Sequence, residues 1–232
     1  MALSLEKYGI TCETFDLSDL FWRVEQYKDD DKKVLDRAAH LENYTDFSCV
    51  PKDKLSTLAK VSVVIDDYIE EFRLDCIALR CWEEMQTVLG VAPCVLLSEL
   101  NDRGIVCSCE IDLTSAISMR AMALASEKPT ACLDWNNNYG EDENKVILFH
   151  CGPVAQSLMD GKGTVTEHKM FAKGDPGSGW GSNEGRIAAF DMTFSNGFTE
   201  DGKLKVYASE AKFTDDPIEK AFFGCAGVAE ID

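Results

Sequence analysis

The chain has 232 residues and a formal net charge of −18 at pH 7, with 41 acidic and 23 basic side chains. Hydrophobic residues make up 45% of it and charged residues 28%, which excludes an intrinsically disordered chain and allows one large domain or two small ones. A chain this acidic repels phosphate backbones and anionic lipid. We therefore expect neither nucleic acid nor a membrane as a partner. The sequence shows no membrane-spanning run and no export leader, and a cytoplasmic location is therefore predicted.

The first third of the chain predicts helices that pack on an apolar layer. Residues 8–15 mix β-branched and aromatic side chains and favour a short strand, after which Asp16 or Ser18 could cap a helix. A second helix is predicted after the acidic residues 29–31, and a third from Pro51 to about residue 73, because apolar residues recur there at helical spacing.

Four short apolar runs follow, at residues 76–79, 105–109, 131–133 and 146–149. Runs that are apolar throughout and alternate with helical stretches indicate parallel strands buried on both faces. Short helices are predicted at residues 83–89 and 95–100, and a longer, well-buried one at Leu113–Ser126. The predicted fold class is therefore α/β, with a parallel, Rossmann-like sheet flanked by helices.

The pattern changes after Cys151, where strong helical periodicity ends. Residues 186–194 and 204–211 alternate like strands, and Asn196-Gly197 and Asp201-Gly202 are typical hairpin turns. We therefore expect an antiparallel β segment, a partial and incomplete barrel. The predicted division is an α/β domain at residues 1–152 and an antiparallel β domain at residues 153–232.

Polar residues follow each apolar run, at the place where ligands bind in open parallel sheets. The runs lead into Trp82-Glu83-Glu84, Glu110-Ile111-Asp112, the segment 134–138 and His150. Carboxylates gathered at one sheet edge repel one another unless protonated or bridged by a cation, and oxygen ligands suit Mg²⁺ or Mn²⁺. The alternative is that Asp112 only caps the helix that follows it, and that the acidic residues before residue 85 only favour a helix start.

The ten cysteines are dilute in a chain this long and lie mostly in apolar runs, so reduced core thiols are predicted. Those near the apolar runs could form a zinc site with His150, but no Cys-x-x-Cys pair exists, and adjacent residues of a strand face opposite sides. The same reasoning disfavours a thiol nucleophile at Cys151 beside His150. His40 and His168 stand in polar surroundings and are predicted to be solvated surface histidines.

Several blocks of sequence, spaced in order along the chain, carry a family resemblance. The main ones are Cys81-Trp82-Glu83-Glu84, Gly90-Val91-Ala92-Pro93-Cys94, Leu100-Asn101-Asp102-Arg103-Gly104, Cys109-Glu110-Ile111-Asp112 and Asp134-Trp135-Asn136-Asn137. Together they resemble the L-fucose isomerase family, most of all its fucose isomerase-like branch. The resemblance implies an enzyme that interconverts an aldose and a ketose through a cis-enediol, using Mn²⁺ or another divalent cation such as Mg²⁺. It also implies a homo-oligomer, a trimer or hexamer.

The resemblance places the metal-binding carboxylates at Glu84 and Asp112, which also move protons, with Glu83 or Gln86 as alternatives to Glu84. From its place after the fourth apolar run, His150 is expected to be a third ligand or a sugar contact. The alternative is a non-catalytic sugar-binding or assembly module on the same scaffold, which would not need an intact metal site.

Trp82, Asp134, Asn136 and Asn137 are the expected sugar contacts, although an Asn-rich structural turn explains the last two equally well. The family's metal-binding histidine comes from near the carboxyl end, whereas no histidine follows His168 here. We therefore expect this chain to be an internal fragment that holds one α/β domain and part of the β domain.

Overall fold

The structure is a computed structural model, and it describes residues 5–172, 174–219 and 223–231. Its first part is a layer of three helices, α1 (Leu17–Gln26), α2 (Lys32–Tyr44) and α3 (Lys52–Phe72). Asp16 caps α1 by accepting a hydrogen bond from the Ser18 amide at 2.8 Å. Pro51 stands directly before α3, and all three predicted helices are confirmed.

The strand predicted at residues 8–15 is wrong, because residues 10–16 form no regular secondary structure. Phe15 instead packs its ring against two aromatic residues of α3, with centroids 4.9 Å from Tyr68 and 4.7 Å from Phe72. The apolar side chains of this segment therefore cover a helix rather than extend a sheet.

Two strands, β1 (Cys76–Ala78) and β2 (Val106–Ser108), form a small parallel sheet. Between them lie the helices α4 (Glu84–Leu89) and α5 (Cys94–Asp102), and after them α6 (Leu113–Ser126). These helices confirm the predicted elements. The predicted deep burial of α6 is wrong: Ala116, Ser118 and Met119 are buried, but Leu124 is 63% exposed. One side of α6 packs on β1, β2 and a later strand, and its other side faces solvent.

A larger mixed sheet contains the remaining strands, β3 (Asp134–Tyr139), β4 (Asp142–His150), β5 (Thr164–Glu167), β6 (Trp180–Arg186), β7 (Phe190–Glu200), β8 (Lys203–Thr214) and β9 (Cys225–Glu230). The strand order is β3-β4-β9-β6-β5, and β8 pairs with both β7 and β9. A 3₁₀ turn (Gln156–Leu158) follows β4, and a short helix, α7 (Lys169–Ala172), follows β5. The described strands do not close into a barrel.

Two of the four predicted parallel strands are wrong. Residues 131–133 lie before β3 and form no strand, and residues 146–149 belong to β4, which is antiparallel to both β3 and β9. Val146, Ile147 and Leu148 are all buried, because β4 has a strand on each side and apolar residues against its faces. A continuous apolar run therefore marked a central strand here rather than a parallel one. The α/β class itself is confirmed.

One of the two predicted hairpin turns is confirmed. Asp201-Gly202 joins β7 to β8, whose residues pair in register from Glu200 with Lys203 outward. Asn196-Gly197 lies inside β7, so the turn predicted there is wrong. Gly197 has a packing role instead: a Cβ atom at this position would stand 2.7 Å from the Ser118 hydroxyl oxygen of α6. The missing side chain lets α6 approach β7.

The apolar core has two clusters. The first joins the helical layer to α5 and the ends of the small sheet, and the second covers the larger sheet around Val146, Ile187 and Phe213. The division predicted near Gly152 stays a prediction, and β3 and β4, which precede it, pair within the larger sheet. Among the described helices, none combines the length and apolar character needed to cross a bilayer.

Candidate functional site

The polar segments that follow β1 and β2 lie side by side. Leu79 donates its amide hydrogen to the Ser108 carbonyl oxygen at 3.0 Å, and the Ile111 amide donates to the Leu79 carbonyl oxygen at 3.2 Å. Trp82 then donates from Nε1 to Glu110 Oε1 at 3.0 Å. The two strand ends are thus joined by backbone and side-chain hydrogen bonds, and the predicted meeting of the first two polar segments is confirmed.

The backbone of the second segment is strained. Glu110 and Ile111 have φ values of 58° and 59°, in the left-handed region that costs energy for residues with a side chain. For Ile111, a β-branched residue, this conformation is rare. It turns the chain sharply, so that the Asp112 amide donates to the Cys109 carbonyl oxygen at 3.0 Å and α6 can begin. Strain of this kind is concentrated at functional sites, which makes the segment a candidate.

Asp112 caps α6, as the structural alternative predicted. Its Oδ1 accepts hydrogen bonds from the Ser115 amide at 2.9 Å and the Thr114 hydroxyl at 2.8 Å, and its Oδ2 accepts from the Ser115 hydroxyl at 2.6 Å. Burial by itself would raise the pKa of the Asp112 carboxyl, but these hydrogen bonds outweigh it and lower the pKa below its usual value. The carboxylate is therefore ionised at neutral pH, and a ligand role for it stays a prediction.

Glu84 is the first residue of α4, and its two oxygens differ. Oε1 pairs with Nη2 of Arg80 at 2.5 Å, whereas Oε2 is buried and accepts no hydrogen bond. Glu83 and Gln86 are the two alternatives to Glu84 as a ligand. Glu83 stands directly before α4, and its side chain makes no capping hydrogen bond to the helix. Gln86 donates from Nε2 to the Cys81 carbonyl oxygen at 2.7 Å. Glu84 is thus the carboxylate of this segment with an unsatisfied buried oxygen.

His150 ends β4 and is 4% exposed. Its Nδ1 accepts a hydrogen bond from the Cys151 amide at 2.9 Å, which leaves the ring hydrogen on Nε2. Burial lowers the pKa of His150, although the negative charges of Asp134 and Glu110 oppose that change. The imidazole is therefore neutral, and it lies within the field of two carboxylates from separate strand ends.

His168 is a residue that the sequence reasoning dismissed. It directly follows β5 and is 2% exposed, so the predicted solvated surface position is wrong. Its ring centroid lies 5.7 Å from that of Trp82 and 5.2 Å from that of Phe223, and burial, with the nearby His150, lowers its pKa to about 4. His40 is half-exposed as predicted, and its Nε2 lies 2.8 Å from Glu99 Oε1.

The segment around Asp134 is a strand, not a turn. Residues 134–138 of β3 are exposed, and the pairing of β3 with β4 is irregular between Trp135 and Asn137, so Asn136 has no partner there. Asp112, Asp134 and Trp135 line a groove of about 1620 Å³ between α6 and the β7–β8 hairpin. The described lining of this groove does not include Asn136 or Asn137. Asp112 and Asp134 thus line the groove, whereas Trp82 and Glu84 follow β1 and His150 ends β4. Asn136 and Asn137 belong to neither set.

A group of buried thiols meets His150 at the end of β4. Three candidate metal ligands among the described residues have ligand atoms within 4.8 Å of one another: Cys109, His150 and Cys151. Glu84 and Asp112 do not belong to this group. The prediction that His150 and Cys151 point apart is wrong, because Cys151 lies beyond the end of β4: its Sγ stands 3.2 Å from His150 Nδ1.

The ten cysteines are free thiols, as predicted. A hydrogen bond with Cys109 lowers the pKa of the Cys151 thiol, but the neighbouring Cys94 thiol and burial outweigh it, and the pKa is raised. Burial also raises the pKa of Cys132 to about 11. Protonated thiols are poor nucleophiles, which agrees with the prediction that Cys151 is not a catalytic nucleophile.

No protein-family model matches the chain. Relatives from Priestia aryabhattai and Priestia megaterium, each named sulfoquinovose isomerase, are 33% identical over 108 residues, which is 47% of this chain and 24% of theirs. A sulfoquinovose isomerase from Alkalicoccus urumqiensis is 27% identical over 155 residues, 65% of this chain and 34% of its own length. The chain thus spans a quarter to a third of the curated relatives it matches. It is similar to sugar isomerases, and the names give no support to L-fucose in particular.

Proposed function

We propose that this chain is part of an aldose–ketose isomerase that moves a proton between C1 and C2 of a sugar through a cis-enediol. The observation that carries the proposal is that His150 lies within the field of Asp134 and Glu110, carboxylates at separate strand ends, in a chain similar to sulfoquinovose isomerases. Sugar isomerisation needs groups that remove a proton from one carbon and return it to the next, and carboxylates at adjacent strand ends supply them.

Glu84 and Asp112 are the proposed metal-binding and proton-moving carboxylates, with His150 as a third ligand. Glu84 Oε2 is buried without a hydrogen bond, and the ionised Asp112 and neutral His150 are in the protonation states that ligands require. Carboxylate oxygens and an imidazole nitrogen are donors of the kind that bind Mn²⁺ or Mg²⁺. These three side chains would have to move together to hold one ion, since the described ligand group within 4.8 Å does not contain Glu84 or Asp112. A divalent cation bound there would polarise the carbonyl and hydroxyl oxygens of the sugar.

Trp82, Asp134, Asn136 and Asn137 are the proposed sugar contacts. Trp82 offers an aromatic face close to Glu110, and Asp134 lines the same groove as Asp112. The exposed amides of Asn136 and Asn137 are free to bind hydroxyl groups of a ligand. The cytoplasmic location and the trimer or hexamer stay predictions.

The substrate is proposed to be a sugar, with the sulfonated sugar of the relatives' name as the first candidate and L-fucose-like sugars beside it. The test assays the full-length protein with Mn²⁺ on a panel of such sugars and compares Glu84→Gln and Asp112→Asn with the parent. Each substitution should lower kcat at least about 100-fold, since each removes a proton-moving group. Chelation of the metal should abolish turnover.

Asp16→Asn is the matched control, because Asp16 also caps a helix through a hydrogen bond to a backbone amide but lies on α1. It should leave kcat unchanged. Full turnover in both Glu84→Gln and Asp112→Asn would contradict the site assignment. A wild-type protein that binds a sugar of the panel but never converts it would favour the non-catalytic module.

A further inference from the structure

A second set of ligand atoms lies in the interior, next to the carboxylates but chemically unlike them. Cys109 directly follows β2, and His150 and Cys151 stand at the end of β4. Their exposures are 1%, 4% and 7%, and their ligand atoms all lie within 4.8 Å of one another. The group therefore connects the small parallel sheet to the larger sheet at a place that water does not reach.

Two more thiols border this group. Cys81 Sγ is 2.9 Å from Cys109 Sγ, and Cys94 Sγ is 3.6 Å from Cys151 Sγ. Both are 2% exposed. Four sulfur atoms and one imidazole nitrogen thus form a continuous chain of contacts in the core. Isolated buried thiols pack as small apolar groups, but a cluster that surrounds an imidazole nitrogen is also the ligand set of a soft metal.

We propose that Cys109, His150 and Cys151 bind a zinc ion, with Cys81 or Cys94 completing a tetrahedral site. Zinc bonds of about 2.3 Å to sulfur and about 2.0 Å to nitrogen put tetrahedral ligands about 3.5 to 3.8 Å apart. The separation of 3.2 Å between Cys151 Sγ and His150 Nδ1 is close to that spacing. On binding, each ligating thiol gives up its proton, and no oxidant or reductant takes part.

The burial of all the ligands indicates a closed, structural site rather than a catalytic one, since a catalytic zinc keeps a position open to solvent or substrate. Such a site would hold the end of β2 against the end of β4. Gly224 supports the same junction: a Cβ atom there would stand 2.4 Å from the His150 carbonyl oxygen and 2.8 Å from Cys151 Cα. The backbone is packed closely where the ligands meet.

His150 is the only ligand that the proposed zinc site and the proposed isomerase site share. Glu84 and Asp112 are outside the thiol group, and hard carboxylate oxygens suit Mn²⁺ or Mg²⁺ whereas thiolates suit zinc. The two proposals can therefore fail separately. Asp112→Asn should lower kcat at least about 100-fold and leave the zinc content unchanged.

The test measures bound zinc in the full-length protein after growth with added zinc and dialysis, and cobalt binding to the metal-free protein. We expect about one zinc ion per chain and a near-ultraviolet sulfur-to-cobalt charge-transfer absorption, the signature of thiolate ligands. Cys109→Ser, Cys151→Ser and His150→Gln should each lose most of the bound zinc. Of Cys81→Ser and Cys94→Ser, the variant that loses zinc identifies the fourth ligand.

Cys107→Ser is the matched control, because Cys107 is equally buried in β2 but stands outside the group. It should keep its zinc. A wild-type protein with neither zinc nor the charge-transfer absorption overturns the proposal, and so does an equal loss of zinc in Cys107→Ser. The cobalt absorption of the wild-type protein tests the zinc proposal even if a ligand variant fails to fold.

Discussion

The two sheets hold their polar side chains in different ways. β1 and β2 are three residues long each, and the polar segments of the candidate site follow them, the one after β2 with a strained backbone. β7 and β8 are 11 and 12 residues long, yet each has a single buried residue. The long hairpin is held by its hydrogen-bonded ladder, whereas the short strands need other contacts. The candidate site therefore depends on side chains that hold short strands in place.

Asn101 shows how this works. From α5, its Nδ2 donates to the Cys107 carbonyl oxygen at 3.0 Å, and its Oδ1 accepts from the Cys107 amide at 2.9 Å. The side-chain amide thus makes the pair of hydrogen bonds that a neighbouring strand would make to β2. A contact of 3.4 Å from the same Nδ2 to the Pro153 carbonyl oxygen ties the small sheet to the chain beyond β4.

The largest effect should come from the junction between the sheets. In Gly224→Ala the new Cβ atom would meet backbone atoms of His150 and Cys151, which cannot move aside, and φ at this position is 72°. We expect the free energy of unfolding to fall by about 3 kcal/mol, measured by urea denaturation. Gly202→Ala is the control, since φ is 69° there and no atom lies within 4 Å. It should cost only about 1 kcal/mol. Equal losses in the two variants would mean that the junction is packed no more tightly than this exposed turn.

Asn101→Ala tests the side chain that holds β2. It removes two hydrogen bonds and leaves a buried amide and carbonyl group of Cys107 unpaired, so unfolding should become easier by about 2 to 3 kcal/mol. Asn43→Ala removes a hydrogen bond to the Ala39 carbonyl oxygen on the exposed side of α2 and should change stability by less than about 0.5 kcal/mol. Similar losses of stability in Asn101→Ala and Asn43→Ala would mean that the hydrogen bonds between β1 and β2 hold the short strands by themselves.

His168 gives a smaller, pH-dependent effect. Its pKa is about 4 in the folded protein and near 6.5 when unfolded, so between these values the unfolded chain binds the proton and the folded chain does not. The free energy of unfolding should therefore fall as the pH drops from 6.5 to 4. Below pH 4 the contribution of His168 should change no further. His168→Phe should make this slope shallower, measured by unfolding at a series of pH values. An unchanged slope would show that His168 is not buried beside Trp82.

The smallest effect is expected at the start of α6. Asp112 has a lowered pKa, so its stabilising effect is fully present above the usual carboxyl pKa and is lost as the pH falls through the lowered value. Asp112→Asn keeps a capping oxygen and should cost about 0.5 to 1 kcal/mol at neutral pH, and less in acid. A cost that stays constant down to acid pH would mean that the charge of Asp112 contributes nothing.

Helices were predictable here because their signals are local. Asp16 before α1 and Asp112 before α6 cap helices whose apolar spacing is visible in the sequence. Strand partners depend on residues far apart along the chain. A run such as residues 146–149 is apolar in a parallel strand and in a central antiparallel strand alike, so its composition could not identify β4 as antiparallel.

The candidate site was predictable only in part, for the same reason. Strand ends predict four polar residues that follow or end strands in the structure: Trp82, Glu110, Asp112 and His150. The burial of His168 was not predictable, because its sequence neighbours are charged and its ring partners are distant along the chain. The strained backbone at Ile111 was not predictable either, because no glycine or asparagine marks that left-handed position.

β9 pairs with β4 on one edge and with β6 and β8 on the other, and all three precede it in sequence. During synthesis these strands leave the ribosome before their shared partner exists. The pairs β3–β4, β5–β6 and β7–β8 can form before then, but only β9 joins them into one sheet, so the larger sheet is completed late. Until that moment the apolar edge of β4 is open to pairing with other chains, and a molecular chaperone that shields nascent strands would raise the yield of folded protein.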